Sequence, residues 1–124
     1  MTYTIFYIDD EADLLEMFVD SHSGDEFEIH VFTQPQDLMD ALSTKKPDLV
    51  LIDFRLPGTN GDHLAQQIDQ KLKRAVPKAL ITGDLRISPT SRFIKIFSKP
   101  YDPQDMQKFL ESGEWRKADS KNTH

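Results

Sequence analysis

The sequence predicts an α/β domain: a doubly wound sheet of five parallel strands with helices on both faces. Three observations lead there. Five strand-length apolar runs, rich in β-branched and aromatic residues, recur along the chain. Amphipathic segments with helical spacing separate most of them. Three of the runs are apolar almost without interruption, as in strands covered on both sides.

The first run, Thr4–Ile8, ends at Asp9, Asp10 and Glu11, after which Leu14, Leu15, Phe18 and Val19 share one helical face. The second, Phe27–Phe32, leads into Thr33 and Gln36. Their spacing predicts a capping box for a helix whose buried stripe is Leu38, Ala41 and Leu42. The third run is Leu49–Phe54; beyond the turn-rich stretch to Gly61, Leu64, Ile68 and Leu72 form an i, i+4, i+8 row. The fourth, Lys78–Thr82, has no helical stripe behind it. Pro89 would interrupt a helix there, so Gly83–Ser91 reads as a loop or one short turn. The fifth run, Phe93–Phe97, precedes a helix with Pro103 in its first turn and Met106, Phe109 and Leu110 buried. Trp115 is expected to pack on that helix. Residues 1–115 then form one domain, and Arg116–His124 is expected to be a polar, disordered tail.

A chain of 124 residues, 38% of them hydrophobic, can bury one substantial core. With no cysteine, disulfide scaffolds, zinc–thiolate sites and thiol catalysis are excluded. The net charge of -6 argues against non-specific nucleic-acid binding. The first residues lack the basic start and long apolar stretch of a secretory signal. No apolar run reaches the roughly 20 residues that span a bilayer. A cytoplasmic location is the expectation. His22, His30, His63 and His124 lack metal-ligand spacing and read as surface residues, or as a strand position for His30. No glycine-rich phosphate loop is present, and Asp9–Asp13 lacks the glycine and closing glutamate of a calcium loop.

Open α/β sheets bind ligands beyond the carboxyl ends of their strands. Asp9 and Asp10 follow the first strand, Asp53 closes the third, Thr82 ends the fourth and Lys99 ends the fifth. These residues are expected to converge on one rim. Crowded carboxylates repel one another and favour a hard cation such as Mg²⁺. A carboxylate can also act as nucleophile toward phosphorus. An ammonium, a hydroxyl and loop N–H groups can stabilise the transferring phosphoryl oxygens.

Four blocks together resemble the signature of response-regulator receiver domains: Ile8-Asp9-Asp10-Glu11, Leu51-Ile52-Asp53-Phe54-Arg55-Leu56-Pro57-Gly58, Leu80-Ile81-Thr82-Gly83 and Ser98-Lys99-Pro100. The resemblance covers about residues 3–112. It implies a flavodoxin-like sheet of strand order 2-1-3-4-5. It further implies a two-component signalling phosphoprotein that catalyses only its own phosphorylation and dephosphorylation. In that resemblance Asp53 is the phosphoacceptor, Asp10 a direct Mg²⁺ ligand and Asp9 a ligand mainly through water. Mn²⁺ is a possible substitute for Mg²⁺, and the backbone carbonyl of Arg55 completes the ligands. Lys99, Thr82 and the Gly83 N–H hold the phosphoryl group, and Lys99–Pro100 is a cis peptide. The donor is a phosphohistidine on a sensor kinase or phosphotransfer protein.

Two features depart from the family on its output side. Thr82 and Lys99 are 17 positions apart (99 minus 82), fewer than usual, so the fourth helix is expected to be shortened or missing. Ile96 stands where a switch aromatic is common. Arg55 and Asp84, flanking the phosphorylation site, carry opposite charges that can pair across its mouth and gate the attacking water. With no output region in the sequence after the last helix, the expectation is a stand-alone regulator acting through a partner protein, without direct contact to nucleic acid or membrane. The alternative is a phosphorylation-independent interaction module of the same fold. An aspartate-dependent phosphatase would want a second acid where Arg55 stands.

Overall fold

The structure is a computed structural model that describes residues 2–84 and 92–116. In chain order it contains β1 (Tyr3–Ile8), α1 (Ala12–His22), β2 (Phe27–Phe32), α2 (Pro35–Ala41), β3 (Leu49–Asp53), α3 (Gly61–Leu72), β4 (Lys78–Thr82), β5 (Lys95–Ser98) and α4 (Pro103–Ser112). The five strands form one parallel sheet in the order β2-β1-β3-β4-β5, as the resemblance implied. A short antiparallel pairing of Arg55–Leu56 with Thr59–Asn60 closes the turn after β3.

Strand alternation sorts the side chains into two cores. Ile5, Tyr7, Leu49, Leu51, Ala79 and Ile81 pack with Leu15 and Phe18 of α1 and Met106, Phe109 and Leu110 of α4. Phe6, Ile8, Val50 and Ile52 pack with Leu38, Leu64, Ala65 and Ile68 on the other face. Every residue of β3 and β4 is buried, which is why their sequences show no polar alternation. Each such large apolar side chain contributes about 1.5–3 kcal/mol, so two-sided burial is what holds the sheet.

Helix starts follow local chemistry, with one departure from expectation. The capping box at Thr33 and Gln36 does not form. Gln34 is the N-cap, extended at φ -120 and ψ 133, and makes no side-chain capping bond. Pro35 occupies the first helical position, where its fixed φ starts the helix and its ring keeps the preceding residue extended. Thr33 is thereby left one residue outside the cap. Asn60 caps α3 by accepting the His63 N–H at 2.9 Å, and Asp102 caps α4 by accepting the Gln104 N–H at 2.8 Å.

His22 is buried, contrary to its reading as a surface residue. It lies in the last turn of α1, its ring 4.8 Å from that of Phe18 and its Nδ1 2.6 Å from the Gln107 amide oxygen on α4. Trp115 is buried as expected, edge-on to Tyr3 at 5.2 Å, and its indole N–H donates to the Leu110 carbonyl at 3.2 Å. Arg116, assigned from the sequence to the tail, lies over the Tyr3 ring at 4.1 Å and pairs with Glu26 at 2.9 Å. The other tail residues, 117–124, lie outside the described residues. So do residues 85–91, on which most of the expected loop after β4 falls. Among the described residues no helix lies between β4 and β5.

Lys78 is fully buried at the start of β4. Alternation turns it toward α3, where its ammonium donates to Asp69 at 2.5 Å and to the Val76 carbonyl at 2.8 Å. Burial pushes its pKa down, against the opposing pull of Asp69.

Candidate functional site

Sheet register builds the site. Ile8 is aligned with Ile52, so Asp9 and Asp53, each one residue further, emerge side by side. Asp53 is aligned with Ile81, which brings Thr82 one residue beyond it. Thr82 is aligned with Ser98, so Lys99 follows next, its N–H donating to the Thr82 carbonyl at 2.9 Å. Four parallel strands ending at nearly the same height thus deliver the sequence-predicted residues to one rim.

The floor of this rim is held close by Gly61. Its N–H donates to the Phe54 carbonyl at 2.7 Å. A Cβ there would approach the Asp53 carbonyl, the Phe54 Cα and the Leu80 side chain at 3.1 Å each. Only glycine lets α3 start this near the acid-bearing strand.

An oxygen from each of Asp9, Asp10 and Asp53 lies within 4.8 Å of the others. Asp9 and Asp53 are buried, and Asp10 is exposed. The Lys99 ammonium stands among them, 3.1 Å from Asp9, 2.9 Å from Glu11 and 3.4 Å from Asp53. Asp9 also accepts the Glu11 N–H at 2.9 Å and the Tyr7 hydroxyl at 3.2 Å.

One ammonium does not offset this concentration of negative charge. Burial pushes the Asp53 carboxyl up to about 7, the charge of Asp9 adds to the rise and Lys99 opposes it. Burial likewise raises Asp9, against hydrogen bonds from the Glu11 N–H and Lys99. At Lys99 burial works against the charge, but the hydrogen bonds to Glu11 and Asp9 outweigh it and the ammonium titrates above its ordinary range. Burial, then Tyr101 and Asp9, pushes the Tyr7 phenol upward, so it remains a donor. Oxygen-only donors short of positive charge fit a hard divalent cation such as Mg²⁺, with Asp9, Asp10 and Asp53 as the residues able to hold it.

The cleft above the acids is lined by Asp10, Glu11, Asp53, Arg55, Thr82, Gly83, Asp84 and Lys99. The Thr82 hydroxyl accepts the Asp84 N–H at 3.0 Å. A Cβ on Gly83 would meet the Lys99 Cβ at an ordinary 3.8 Å, so backbone packing alone does not demand glycine there. Arg55 and Asp84 meet at 3.4 Å across the mouth. The Lys99–Pro100 bond is cis. Ile96 is 44% exposed on β5, whereas the next residue, Phe97, is buried against Phe109 on the α4 side.

Sequence reasoning did not single out Tyr7, Tyr101 or the side chain of Glu11. Tyr7 reads as one more apolar residue in a buried strand. Its position two before Asp9 is the signal that could have found it, because residues i and i+2 of a strand share a face.

A family model described as the response regulator receiver domain matches residues 5–111. The chain is 28% identical over 111 residues to the DNA-binding response regulator MtrA of Mycobacterium tuberculosis, covering 86% of this chain and 48% of that protein. It is 27% identical over 109 residues to the phosphate regulon transcriptional regulatory protein PhoB of Pseudomonas aeruginosa, covering 83% and 48%. The chain thus spans about half the length of the curated relatives it matches. Among solved structures, a CheY-like receiver domain from Methylobacillus flagellatus superposes with a TM-score of 0.80 at 23% identity, covering 92% of this chain and all of that one. The response regulator TrrA of Thermotoga maritima, in complex with Mg²⁺ and a beryllofluoride, gives 0.76 at 19% identity, covering 90% and 98%. Sheet order, strand-end chemistry and a family match over most of the sequence agree, and the chain belongs to the response regulator receiver domain family.

Proposed function

We propose that this domain accepts a phosphoryl group on Asp53 from a phosphohistidine donor, with Mg²⁺ or Mn²⁺ as cofactor, and signals through a partner protein. The observation that carries this reading is the register that sets Asp53 within 4.8 Å of the Asp9 and Asp10 oxygens and 3.4 Å from Lys99. An Asp53 oxygen attacks phosphorus in line, and the P–N bond to the donor imidazole breaks, its electron pair leaving with the ring. Asp10 and Asp53 would hold the cation directly, Asp9 through a water, and the Arg55 carbonyl would complete the protein ligands. Bound there, the cation neutralises charge on the phosphoryl oxygens. Lys99 shifts from Glu11 and Asp9 toward a phosphoryl oxygen. Thr82 turns its hydroxyl hydrogen to another, and the Gly83 N–H donates to the group. The domain turns over no substrate other than its own phosphoryl group.

The donor would be a sensor histidine kinase or a histidine phosphotransfer protein, which fits a cytoplasmic location. No helix among the described residues is long and apolar enough to cross a membrane. The net charge of -6 supports protein rather than nucleic acid as the direct contact of this domain.

A second reading is a receiver fold used as an interaction module without phosphorylation. It is favoured by the exposed Ile96 at the usual aromatic position and by Lys99, already engaged by Asp9 and Glu11. Incubation with acetyl phosphate or phosphoramidate and Mg²⁺, read by intact mass with Asp53→Asn as control, separates the two. An acid-stable, base-labile adduct that needs Asp53 supports phosphoacceptance; cation binding without adduct supports the module.

A further inference from the structure

Asp9 is held by more than its charge partners. Its Oδ1 accepts the Glu11 N–H at 2.9 Å and the Lys99 ammonium at 3.3 Å. Its Oδ2 accepts the Tyr7 hydroxyl at 3.2 Å and lies 3.1 Å from the same ammonium. An ionised carboxylate offers about four acceptor positions, and hydrogen bonds from the protein fill three of them here. Of these donors, only Tyr7 comes from inside the sheet.

Tyr7 is fully buried, its ring 4.9 Å from that of Phe18. Its apolar neighbours on that face, Ile5, Leu49 and Leu51, need no hydroxyl. Phenylalanine would fill the same volume, and a buried hydroxyl is costly unless it is bonded. Beyond Tyr7 the Tyr101 hydroxyl stands 3.5 Å away, two residues after Lys99 and one after the cis peptide. The two phenols therefore link the inner edge of Asp9 to the loop that carries Lys99.

We infer that Tyr7, braced by Tyr101, is a positioning residue that fixes the orientation of the Asp9 carboxylate and so sets how tightly the acid cluster holds a divalent cation. The inference rests on the reading of Asp9, Asp10 and Asp53 as a cation site. Groups that orient a metal-binding carboxylate act on affinity at a distance of one bond further out. Without the Tyr7 hydroxyl, one acceptor position of a buried carboxylate faces nothing, and Asp9 can turn toward Lys99 and away from Asp10. Tyr101 acts only through Tyr7.

The test is titration of Mg²⁺, and separately Mn²⁺, into the unphosphorylated domain by calorimetry, with no phosphodonor present. Tyr7→Phe, Tyr101→Phe and the double variant are compared with the natural sequence, and thermal midpoints in chelator confirm equal folding. Tyr7→Phe is expected to weaken cation affinity about ten-fold, the lower end of such effects. Tyr101→Phe should weaken it less, and should add nothing in the Tyr7→Phe background. Should Tyr7→Phe fail to fold, Tyr101→Phe alone decides, with unchanged affinity overturning the inference. Natural domain that binds cation and Tyr7→Phe that binds it equally well would overturn the inference alone. Natural domain that binds neither cation would overturn the cation reading and this inference with it.

Discussion

Lys99 and Asp53 face each other at 3.4 Å although their strands, β5 and β3, are not neighbours in the sheet. β4 lies between them and contributes Thr82 to the gap. The ammonium must reach diagonally over one strand, and on the way it is shared with Asp9 and Glu11. One cation thus serves three acids, and the site keeps an excess of negative charge.

That excess predicts a pH-dependent cost to the fold. The Asp53 carboxyl, at about 7 in the folded domain, sits above its ordinary value of 3.8. The folded state then prefers Asp53 protonated: this contribution is fully present below about pH 4 and is lost as pH rises through about 7. Asp53→Asn should therefore stabilise the domain at pH 8 by on the order of 2 kcal/mol, and hardly at all near pH 4. Thermal melts with and without Mg²⁺ check this, since saturating Mg²⁺ should erase the advantage at pH 8. A variant less stable than the natural domain at pH 8 in chelator would refute it.

Arg55 and Asp84 meet across the mouth of the cleft at 3.4 Å, with Arg55 largely exposed. An exposed pair adds little to stability, so Arg55→Ala should change unfolding free energy by less than about 0.5 kcal/mol. Its effect is expected on chemistry, by opening the path of water to the acyl phosphate. The half-life of phosphorylated Asp53, followed after removal of donor, should shorten several-fold. An unchanged half-life would mean that the pair does not gate.

Lys78 and Asp69 behave as an asymmetric pair. Asp69→Ala strands a buried ammonium that retains the Val76 carbonyl, and should cost about 3–5 kcal/mol. Lys78→Met fills the same space without charge and should lie within about 1 kcal/mol of the natural domain or above it. Urea unfolding of both variants measures the difference. Equal losses would show that the pair is held by attraction rather than by matched burial.

Trp115 closes the core beneath β1, with Arg116 over the Tyr3 ring and bound to Glu26. Trp115→Ala should destabilise the domain by about 3–5 kcal/mol. Arg116→Ala should cost on the order of 1 kcal/mol, from a cation–π contact and a half-exposed ion pair. Near-ultraviolet circular dichroism in denaturant would read both.

The sequence by itself determined the order and kind of the elements and the chemistry of the strand ends. Residues 49–52 of β3 and 79–81 of β4 are legible because two-sided burial leaves these stretches wholly apolar. Asp9, Asp53, Thr82 and Lys99 are legible because each stands where such a run stops. Only the tertiary structure decided what side chains meet. The partnership of Lys78 with Asp69, the burial of His22 against Gln107 and the hydroxyl of Tyr7 on Asp9 all depend on which face a residue presents and what is packed there. Pro35 shows the same division at shorter range, since its ring started α2 and left Thr33 outside the cap. Periodicity is a property of neighbours along the chain, whereas register and packing join residues far apart in it, and the electrostatics of the acidic rim arise from the second.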